Sequence, residues 1–516
     1  MRPRVLLVSS EAVPLVKTGG LADVITALAL SLEEQGVEAT ILLPGYPAAL
    51  RGASGLRKVA DLSDLPGGKG ELLQGYMPDT GIPVLLLDTP QFNQRSANPY
   101  VDHSGNEFDD NAVCFAALAH AAVKICAGQT RFPVPHIVHS NDWHAALIPA
   151  LLKAKGLHHI GTVLTIHNLA FQGNYSAELA PELGIPSEMV SEDGMEFWGK
   201  ISFMKAGIRY ADRISTVSET YASEILTPRF GNGMDGVLRQ RKDALVATPN
   251  GVDLQLWNPG SDTLIAKNYN NDDIRGKVVC KRDLQKRFNL PLQPFARIVA
   301  LGSRMTHQKM ADVVLDALPA LLEAHPTMQL AVLGCGDHQY EQKFLELAAN
   351  YPDRVGVRIG YDEDTAHALH AGADILLHAS RFEPFGLTPI YSMLYGTIPV
   401  CSRVGGMCDT VVDAGLEGAV DRGATGILFD GESVEDVHAA VSRALELSIQ
   451  PAVWKRMQTD AMMCDFSWKE PVSRYIRMYA EIAQPEAAEL FRASLMPAAA
   501  NATHIIERRS SENRIA

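Results

Sequence analysis

The residues best suited to chemistry lie in the stretch His378–Val400, HASRFEPFGLTPIYSMLYGTIPV. An apolar run at Asp374–Leu377 predicts a parallel strand before it, and a helical pattern begins at about Pro389. A helix N-terminus offers backbone N–H groups and a positive dipole end, which together favour phosphate. Glu383 adds a carboxylate for sugar hydroxyls, and Gly386 allows a ligand close to the backbone. The same pattern also fits an ordinary strand-to-helix connection. Residues elsewhere in the chain are needed to distinguish this interpretation from a ligand-binding loop.

A second loop in this half of the chain carries two cations. Arg304 and Lys309 follow the strand predicted at Arg297–Leu301. Arg binds a diphosphate bidentately and Lys acts as a point charge, although two solvated loop cations are the alternative interpretation. Tyr361 follows the strand predicted at Val355–Ile359. It is either a stacking surface for a base or a half-buried aromatic.

Polar side chains also follow three predicted strands of the first half. Glu11 comes after the first strand, and the loop Lys17–Asp23 contains the adjacent glycines Gly19 and Gly20. A lysine beside two glycines suits a phosphate-bearing ligand. The spacing matches neither GxGxxG nor a P-loop, so by itself this signal is weak.

The other two strand ends carry residues suited to sugar. Asp142 either caps the following helix or binds sugar hydroxyls beside Trp143 and His144. His167 is either a structural histidine or, with Asn168, a clamp for hydroxyls. The residue types leave both alternatives open.

Strands that alternate with helices must position these residues. In the first half the pattern predicts strands at Arg4–Ser9, Val37–Leu43, Val84–Asp88, His136–His139, Thr162–His167, Arg213–Val217 and Val246–Asn250. It predicts helices from the Lys17 loop to Gln35, over Asn111–Ala127, after Asp142, over Glu196–Tyr210 and from Ser218. Such alternation implies a parallel sheet covered on both faces, with functional residues at the carboxyl ends of its strands.

The second half repeats this architecture without a strong sequence repeat. A Pro/Asn/Asp-rich stretch from Trp257 to Asp273 predicts an interdomain connection. A strand at Gln329–Leu333 and a turn at Gly405-Gly406 belong to the second half. The sequence therefore predicts two doubly wound halves. Groups suited to sugar lie in one half, and groups suited to phosphate lie in the other. We expect the active site in the cleft between them.

Composition narrows the possible partners. The 516 residues include 46 basic and 60 acidic side chains, which give a net charge of −14. Nucleic acid and anionic membrane are therefore not expected partners. The seven cysteines form no C-x-x-C pair, which predicts a reduced, cytoplasmic protein. The apolar run at the N-terminus is too short for a signal peptide, and no segment has the length of a membrane span.

Eight motifs together resemble the bacterial glycogen synthase and plant starch synthase family. They are KTGGLADV (17–24), HSNDWHAAL (139–147), TIHNLAFQG (165–173), DRISTVSETYASEI (212–225), NGVDLQLWNP (250–259), SRMTHQK (303–309), SRFEPFGLT (380–388) and DFSW (465–468). The resemblance implies a GT-B fold of two Rossmann-like domains. It also implies a retaining α-1,4-glucosyltransferase that uses ADP-glucose, extends an α-1,4-glucan such as glycogen, and needs no metal or other cofactor.

The resemblance also implies domain limits. Residues 1–250 form the N-terminal, acceptor-side domain, and residues 251–469 form the C-terminal, nucleotide-sugar domain. Residues 470–484 cross back to the N-terminal domain. The tail at 485–516 is an appendage of unknown role.

Site residues follow from the motifs by position. Catalytic roles fall to His167, Glu383, Arg304, Lys309 and Asp142. Donor binding falls to Lys17, Gly19, Gly20, Asp23, Asn168, Tyr361, Phe385, Gly386, Leu387 and Thr388. Acceptor binding falls to Glu11, Tyr100, Trp143 and His144. Phe385 stands where Cys is common in the family, and Met310 stands where Gly is usual.

The lack of a second carboxylate after Glu383 predicts the mechanism. Eight residues after Glu383 stands Tyr391 in place of a second carboxylate, and no enzymic nucleophile is evident. We therefore expect front-face transfer, in which the leaving diphosphate accepts the proton of the acceptor. The alternatives are another GT-B activity, such as a pyridoxal-phosphate-dependent phosphorylase or an epimerase, and a glucan-binding protein without activity.

Overall fold

The computed structural model describes residues 2–95, 98–102, 105–415, 420 and 423–495. The chain divides into two compact units. The first consists of Met1–Val217, Ala222–Gly251 and Trp468–Ala516, and the second of Ser218–Tyr221 and Val252–Ser467. Each contains a sheet of mainly parallel strands with helices between them, so the prediction of two doubly wound α/β units is confirmed. No helix among the described residues is long and apolar enough to cross a membrane.

The first unit is built on a nine-stranded sheet of order β12-β11-β7-β6-β1-β2-β5-β4-β3. Its strands are β1 Arg4–Val8, β2 Glu38–Pro44, β3 Ser54–Leu65, β4 Gly68–Tyr76, β5 Pro83–Asp88, β6 Ile137–Asn141, β7 Gly161–Ile166, β11 Arg213–Thr216 and β12 Leu245–Ala247. A small three-stranded sheet adds β8 Asn174–Ser176, β9 Glu196–Phe197 and β10 Lys200–Ser202. The central strands are apolar runs buried on both faces, as parallel strands between helix layers must be.

The described residues of this part of the chain contain helices between the strands. They are α1 Gly20–Glu34, α2 Pro47–Gly52, α3 Asn111–Cys126, α4 Asp142–Ala145, α5 Ile148–Ala154, α6 Phe203–Tyr210, α7 Glu219–Glu224, whose first residues belong to the second unit, and α8 Asp235–Gln240. Helix α1 begins directly after the Lys17 loop. Helix α4 begins at Asp142, where β6 ends.

Two expectations for this unit are wrong. The sheet is not wholly parallel, because β3 and β4 form an antiparallel hairpin at its edge. The predicted helix Glu196–Tyr210 begins only at Phe203, where the Ser202 hydroxyl accepts the N–H of Lys205 and caps it. Residues 196–202 form the hairpin β9–β10, since two residues with positive φ interrupt the helical pattern.

The second unit contains a wholly parallel six-stranded sheet of order β15-β14-β13-β16-β17-β18. Its strands are β13 Arg297–Gly302, β14 Met328–Gly334, β15 Val355–Ile359, β16 Ile375–His378, β17 Ile398–Ser402 and β18 Ile427–Phe429. Its helices are α9 Gly276–Arg287, α10 Ala311–Ala324, α11 His338–Asn350, α12 Glu363–Gly372, α13 Leu387–Leu394, α14 Gly406–Thr410, α15 Val434–Ser448 and α16 Pro451–Met462.

The Pro/Asn/Asp-rich stretch lies inside the second unit. Trp257 at its start is buried between two rings, with centroid distances of 4.0 Å to His367 and 3.8 Å to Tyr391. The Asp262 carboxylate contacts His367 Nδ1 at 2.7 Å and accepts the Tyr395 hydroxyl at 2.6 Å. The composition shift therefore marks a segment that packs into this unit, and the chain leaves the first unit earlier, after Gly251.

The C-terminal helices return to the first unit. They are α17 Lys469–Ile482 and α18 Pro485–Ser494. The Tyr479 hydroxyl lies 2.8 Å from Nδ1 of His139 in β6, and the Phe491 ring packs 5.6 Å from Tyr479. At the return point Gly251 packs directly against Trp468, where a Cβ on the glycine would lie 2.6 Å from the indole. The last helices thus complete the core of the first unit.

Candidate active site

The Lys17 loop is held by a carboxylate beneath it. Glu11, three residues after β1, accepts the backbone N–H groups of Thr18 and Gly19 and the Thr18 hydroxyl. Lys17 Nζ donates to Asp23 Oδ1 at 3.0 Å, which ties the start of the loop to the first turn of α1. The structure therefore assembles the predicted residues of this loop, and it gives Glu11 a role in shaping the loop.

The residues predicted for acceptor binding form one aromatic cluster. The His144 ring lies 4.1 Å from Trp143 and 4.7 Å from Tyr100, and the Phe115 ring lies 5.0 Å from Trp143. The Tyr100 hydroxyl also donates to Glu11. Burial lowers the pKa of His144 to about 3, so this ring is neutral at pH 7. Phe115 was not among the residues predicted for this site.

Asp142 does not cap the helix that it begins. Its Oδ1 accepts the N–H of His167 at 2.7 Å and that of Asn168 at 3.2 Å. The carboxylate thus joins the carboxyl ends of β6 and β7. Its backbone adopts φ +55°, a conformation uncommon for a non-glycine residue. Burial raises the pKa of Asp142 to about 7, although both backbone hydrogen bonds act in the opposite direction.

His167 is a neutral side chain in this setting. Burial lowers its pKa to about 3, and its Nε2 lies 3.0 Å from the Asn141 side-chain oxygen. The Asn168 side-chain oxygen accepts the Ala170 N–H at 3.0 Å. A neutral imidazole can exchange hydrogen bonds with hydroxyls and adds no positive charge at this strand end.

The second unit contains a buried cluster around Glu383. Its Oε2 accepts from Lys309 Nζ, from His378 Nε2 at 3.1 Å and from the Ser380 hydroxyl at 3.2 Å. The two predicted residues Lys309 and Glu383 therefore form a direct ion pair. His378 was not predicted as a site residue, but its position as the last residue of β16 is the signal that identifies it.

Electrostatics keeps this carboxylate ionised. Burial by itself raises the pKa of Glu383, but the charge of Lys309 and the His378 hydrogen bond together hold that pKa well below its usual range. Burial and the neighbouring Lys309 lower the pKa of His378. At neutral pH the cluster is an ammonium and a carboxylate beside a neutral imidazole.

Two glycines fix the backbone after Glu383. A Cβ on Gly405 would lie 1.7 Å from the Glu383 carbonyl oxygen, so a side chain does not fit there. The Gly406 N–H lies 3.3 Å from that oxygen and 3.2 Å from the Pro384 carbonyl oxygen. Gly386 adopts φ +90°, and α13 begins at the next residue. The helix N-terminus that the sequence predicted is present, with predicted residues Phe385, Leu387 and Thr388 around it.

Arg304 and Tyr361, two other predicted site residues of the second unit, are more exposed. Arg304 is exposed, and its guanidinium donates to the Gln308 side chain at 3.2 Å instead of joining Glu383. The Tyr361 side chain is 61% exposed, and its hydroxyl donates to Glu363. Met310 adopts φ +49°, so the backbone at this position has the conformation that glycine favours. Among the described residues no group of three or more His, Cys, Asp or Glu could hold a metal ion.

Comparisons with known protein families follow the same division of the chain. Residues 4–240 match the starch synthase catalytic domain, and residues 284–459 match glycosyl transferases group 1. The chain is 52% identical over 483 residues to the glycogen synthase of Ralstonia nicotianae, covering 94% of this chain and 89% of that protein. It is 50% identical over 477 residues to the glycogen synthase of Bordetella petrii, covering 92% and 91%.

Solved structures agree with the sequence relatives. The catalytic domain of starch synthase IV from Arabidopsis thaliana, bound to ADP and acarbose, superposes with a TM-score of 0.85 at 25% identity. The match covers 93% of this chain and 99% of that chain. Sucrose-phosphate synthase from Thermosynechococcus elongatus matches at a TM-score of 0.58 and 17% identity, covering 93% and 99%, and shows the fold alone. The predicted GT-B fold class is confirmed.

Proposed function

The chain belongs to the glycogen and starch synthase family of glucosyltransferases, and from this we propose that it transfers glucose from ADP-glucose to the non-reducing end of an α-1,4-glucan. The transfer retains the configuration of the sugar. Related proteins are named glycogen synthase, and a structural relative was solved with ADP and acarbose. The donor, the acceptor and the roles of individual residues are part of the proposal.

The Lys309–Glu383–His378 cluster carries this proposal. All three contacts to Glu383 use Oε2, so in the part of the chain that the structure describes Oε1 is left for a sugar hydroxyl. Lys309 supplies positive charge, and the N-terminus of α13 supplies N–H groups. A carboxylate, a cation and helix N–H groups in one place suit a sugar that is linked to a diphosphate.

The aromatic cluster of the first unit supports a glucan acceptor. The rings of Trp143, His144 and Tyr100 pack against one another, and the Tyr100 hydroxyl donates to the Glu11 carboxylate beside them. A glucose ring has an apolar face of C–H groups and a rim of hydroxyls. It therefore matches a surface that combines aromatic rings with polar side chains.

The chemistry follows from the leaving group. The bond between C1 of glucose and the diphosphate oxygen breaks, and a bond from the acceptor O4 forms on the same face. The O4 proton passes to the departing phosphate oxygen, so no enzymic nucleophile is needed. Lys309 and Arg304 stabilise the charge that develops on the diphosphate, which is the largest catalytic effect expected here. The neutral His167 shields the oxocarbenium-like sugar.

The test is the incorporation of labelled glucose into glycogen. Wild type, Glu383→Ala and the exposed control Glu323→Ala are each given ADP-glucose or UDP-glucose, with EDTA present. We expect incorporation from ADP-glucose that survives EDTA, collapses in Glu383→Ala and is unchanged in Glu323→Ala. A folded wild type that incorporates glucose from neither donor would contradict the proposal and favour another activity or a glucan-binding role.

A further inference from the structure

A tryptophan occupies an exposed hairpin turn in the first unit. Strands β9 and β10 pair Phe197 with Lys200, so the loop between them is Trp198-Gly199 alone. The two loop residues have φ +53° and φ +79°. A two-residue loop with positive φ at both positions is a type I′ turn, for which Asn-Gly is the favoured sequence.

Trp198 is poorly suited to that turn. A bulky residue with positive φ is a strained exception, whereas Asn adopts this conformation readily. The indole is also 83% exposed, so its large apolar surface gains little from folding. A residue that neither favours its backbone conformation nor packs in the core contributes little to stability. Its exposed ring is therefore available for a contact outside the fold.

The surface around Trp198 is aromatic and polar together. A Cβ on Gly233 would lie 3.1 Å from the Phe197 ring and 3.6 Å from the indole nitrogen, so Gly233 leaves room for both rings. The neighbouring Asn232 is exposed, and its carbonyl accepts the Gln172 side chain at 3.0 Å. We call Phe197, Trp198, Asn232 and Gly233 the Trp198 platform.

The platform shares a scaffold with the acceptor residues. Strand β10 pairs Ile201 with Tyr175 of β8, and the Tyr175 ring lies 6.1 Å from Trp143. Ile201 pairs with Glu196, and Trp198 lies two residues beyond Glu196, so at about 3.3 Å per residue it is roughly 7 Å further along the hairpin. The small sheet thus connects the proposed acceptor cluster to the platform.

We propose that the Trp198 platform is a second glucan-binding subsite, which holds another segment of the polymer that the active site extends. The choice of glucan as the ligand rests on the proposed function. The exposed ring packs against the C–H face of a glucose residue, and Asn232 bonds its hydroxyls. The surface area of a single tryptophan beside Gly and Asn is much smaller than the roughly 1,000 Å² that a stable protein–protein interface buries.

Such a subsite would affect long acceptors more than short ones. A polymer held at the platform has a high effective concentration at the active site, whereas a short oligosaccharide occupies one site at a time. The platform therefore acts through the KM for glycogen. The KM for ADP-glucose, which binds elsewhere, does not change.

The test replaces Trp198 by the residue that the turn prefers. Because Asn suits the turn, Trp198→Asn keeps or raises the thermal midpoint, so a loss of binding cannot be assigned to misfolding. We expect glycogen affinity, measured by affinity electrophoresis, to fall about 2- to 10-fold, the range of one aromatic stacking contact. Trp198→Phe keeps a ring and restores most of the affinity. The control Phe295→Asn, at a residue 90% exposed in the second unit, leaves it unchanged.

Two outcomes would overturn the inference. Equal glycogen affinity of wild type and Trp198→Asn would do so directly. A change of oligomeric state by light scattering, without a change in glycogen affinity, would replace the glucan by a protein contact. If no glucose is transferred from ADP-glucose but Trp198→Asn weakens glycogen binding, the proposed function fails and this inference stands.

Discussion

Two buried carboxylates, one in each unit, follow the carboxyl ends of parallel strands, and their pKa values are shifted in opposite directions. Asp142, after β6, accepts two backbone N–H groups, and burial raises its pKa to about 7. Glu383 also experiences burial, but Lys309 and His378 hold its pKa well below the usual range. The end of a strand is where each carboxylate of the candidate site is placed. The hydrogen-bond and ion-pair partners of that carboxylate determine its pKa, and therefore its charge. Peptide dipoles do not offset the desolvation of Asp142, whereas a buried ammonium ion does so for Glu383.

The largest effect is expected when the cation beside Glu383 is removed. Lys309→Ala leaves a buried carboxylate without its partner, which costs about 3–5 kcal/mol of folding stability. It also removes charge stabilisation from the leaving diphosphate, so turnover falls about 10²-fold or more. Urea denaturation and kcat with ADP-glucose measure the two losses. The exposed Lys343→Ala is the matched control, and the double variant Lys309→Ala/Glu383→Gln should regain stability without regaining turnover.

A smaller effect is expected from two substitutions of Asp142, which together separate its role as a hydrogen-bond acceptor from its charge. Asp142→Ala leaves the N–H groups of His167 and Asn168 without their acceptor, which costs about 1–3 kcal/mol. Asp142→Asn keeps an oxygen for both N–H groups and should lose much less stability. Thermal and urea unfolding of the two variants measure the difference. Equal losses in both would mean that the charge, and not the hydrogen bonds, matters at this position.

The smallest effect is a difference in pH dependence. The folded pKa of Asp142, about 7, lies above its reference value of 3.8, so the folded state binds more protons between these values. Stability from this group is present below the reference pKa and is lost as pH rises through about 7. The stability of Asp142→Asn relative to wild type should therefore increase from pH 5 to pH 8.

Glu383 should behave in the opposite sense. Its folded pKa is depressed, so its stability contribution is present above the reference value of 4.5 and is lost only as the pH falls below it. The stability of Glu383→Gln relative to wild type should be constant from pH 6 to pH 8. Urea denaturation across this range tests both variants. If the stabilities of the two variants relative to wild type changed with pH in the same way, the predicted difference between the two carboxylates would be wrong.

The sequence predicted much of the fold because buried parallel strands are apolar runs that turn residues separate. The strand ends that carry Glu11, Asp142, His167 and Glu383 were identified in this way. The hairpin β3–β4 was missed because it lies at the sheet edge and departs from the strand–helix alternation. The hairpin β9–β10 was missed because its Trp-Gly turn lacks the usual Asn-Gly signal.

The site was less predictable than the fold because its contacts join distant parts of the chain. The hydrogen bonds from the N–H groups of His167 and Asn168 to Asp142 depend on the neighbouring placement of β6 and β7. The contact of His378 with Glu383 depends on the path of the loop between them, which Gly405 fixes from another strand end. Met310 was not predictable from its residue type: it stands where Gly is usual in the family, and its backbone adopts the positive φ that glycine favours.

The return of α17 and α18 to the first unit has a consequence for the order of events during protein synthesis. A ribosome makes residues 1–251 first and the helices that complete their core last, after the whole second unit. Until Tyr479 emerges, His139 and the sheet face around it lack their cover. The nascent N-terminal part therefore presents an apolar face for as long as translation of about 220 residues takes, at about 5–20 residues per second. During this interval the chain is most exposed to aggregation and to chaperones.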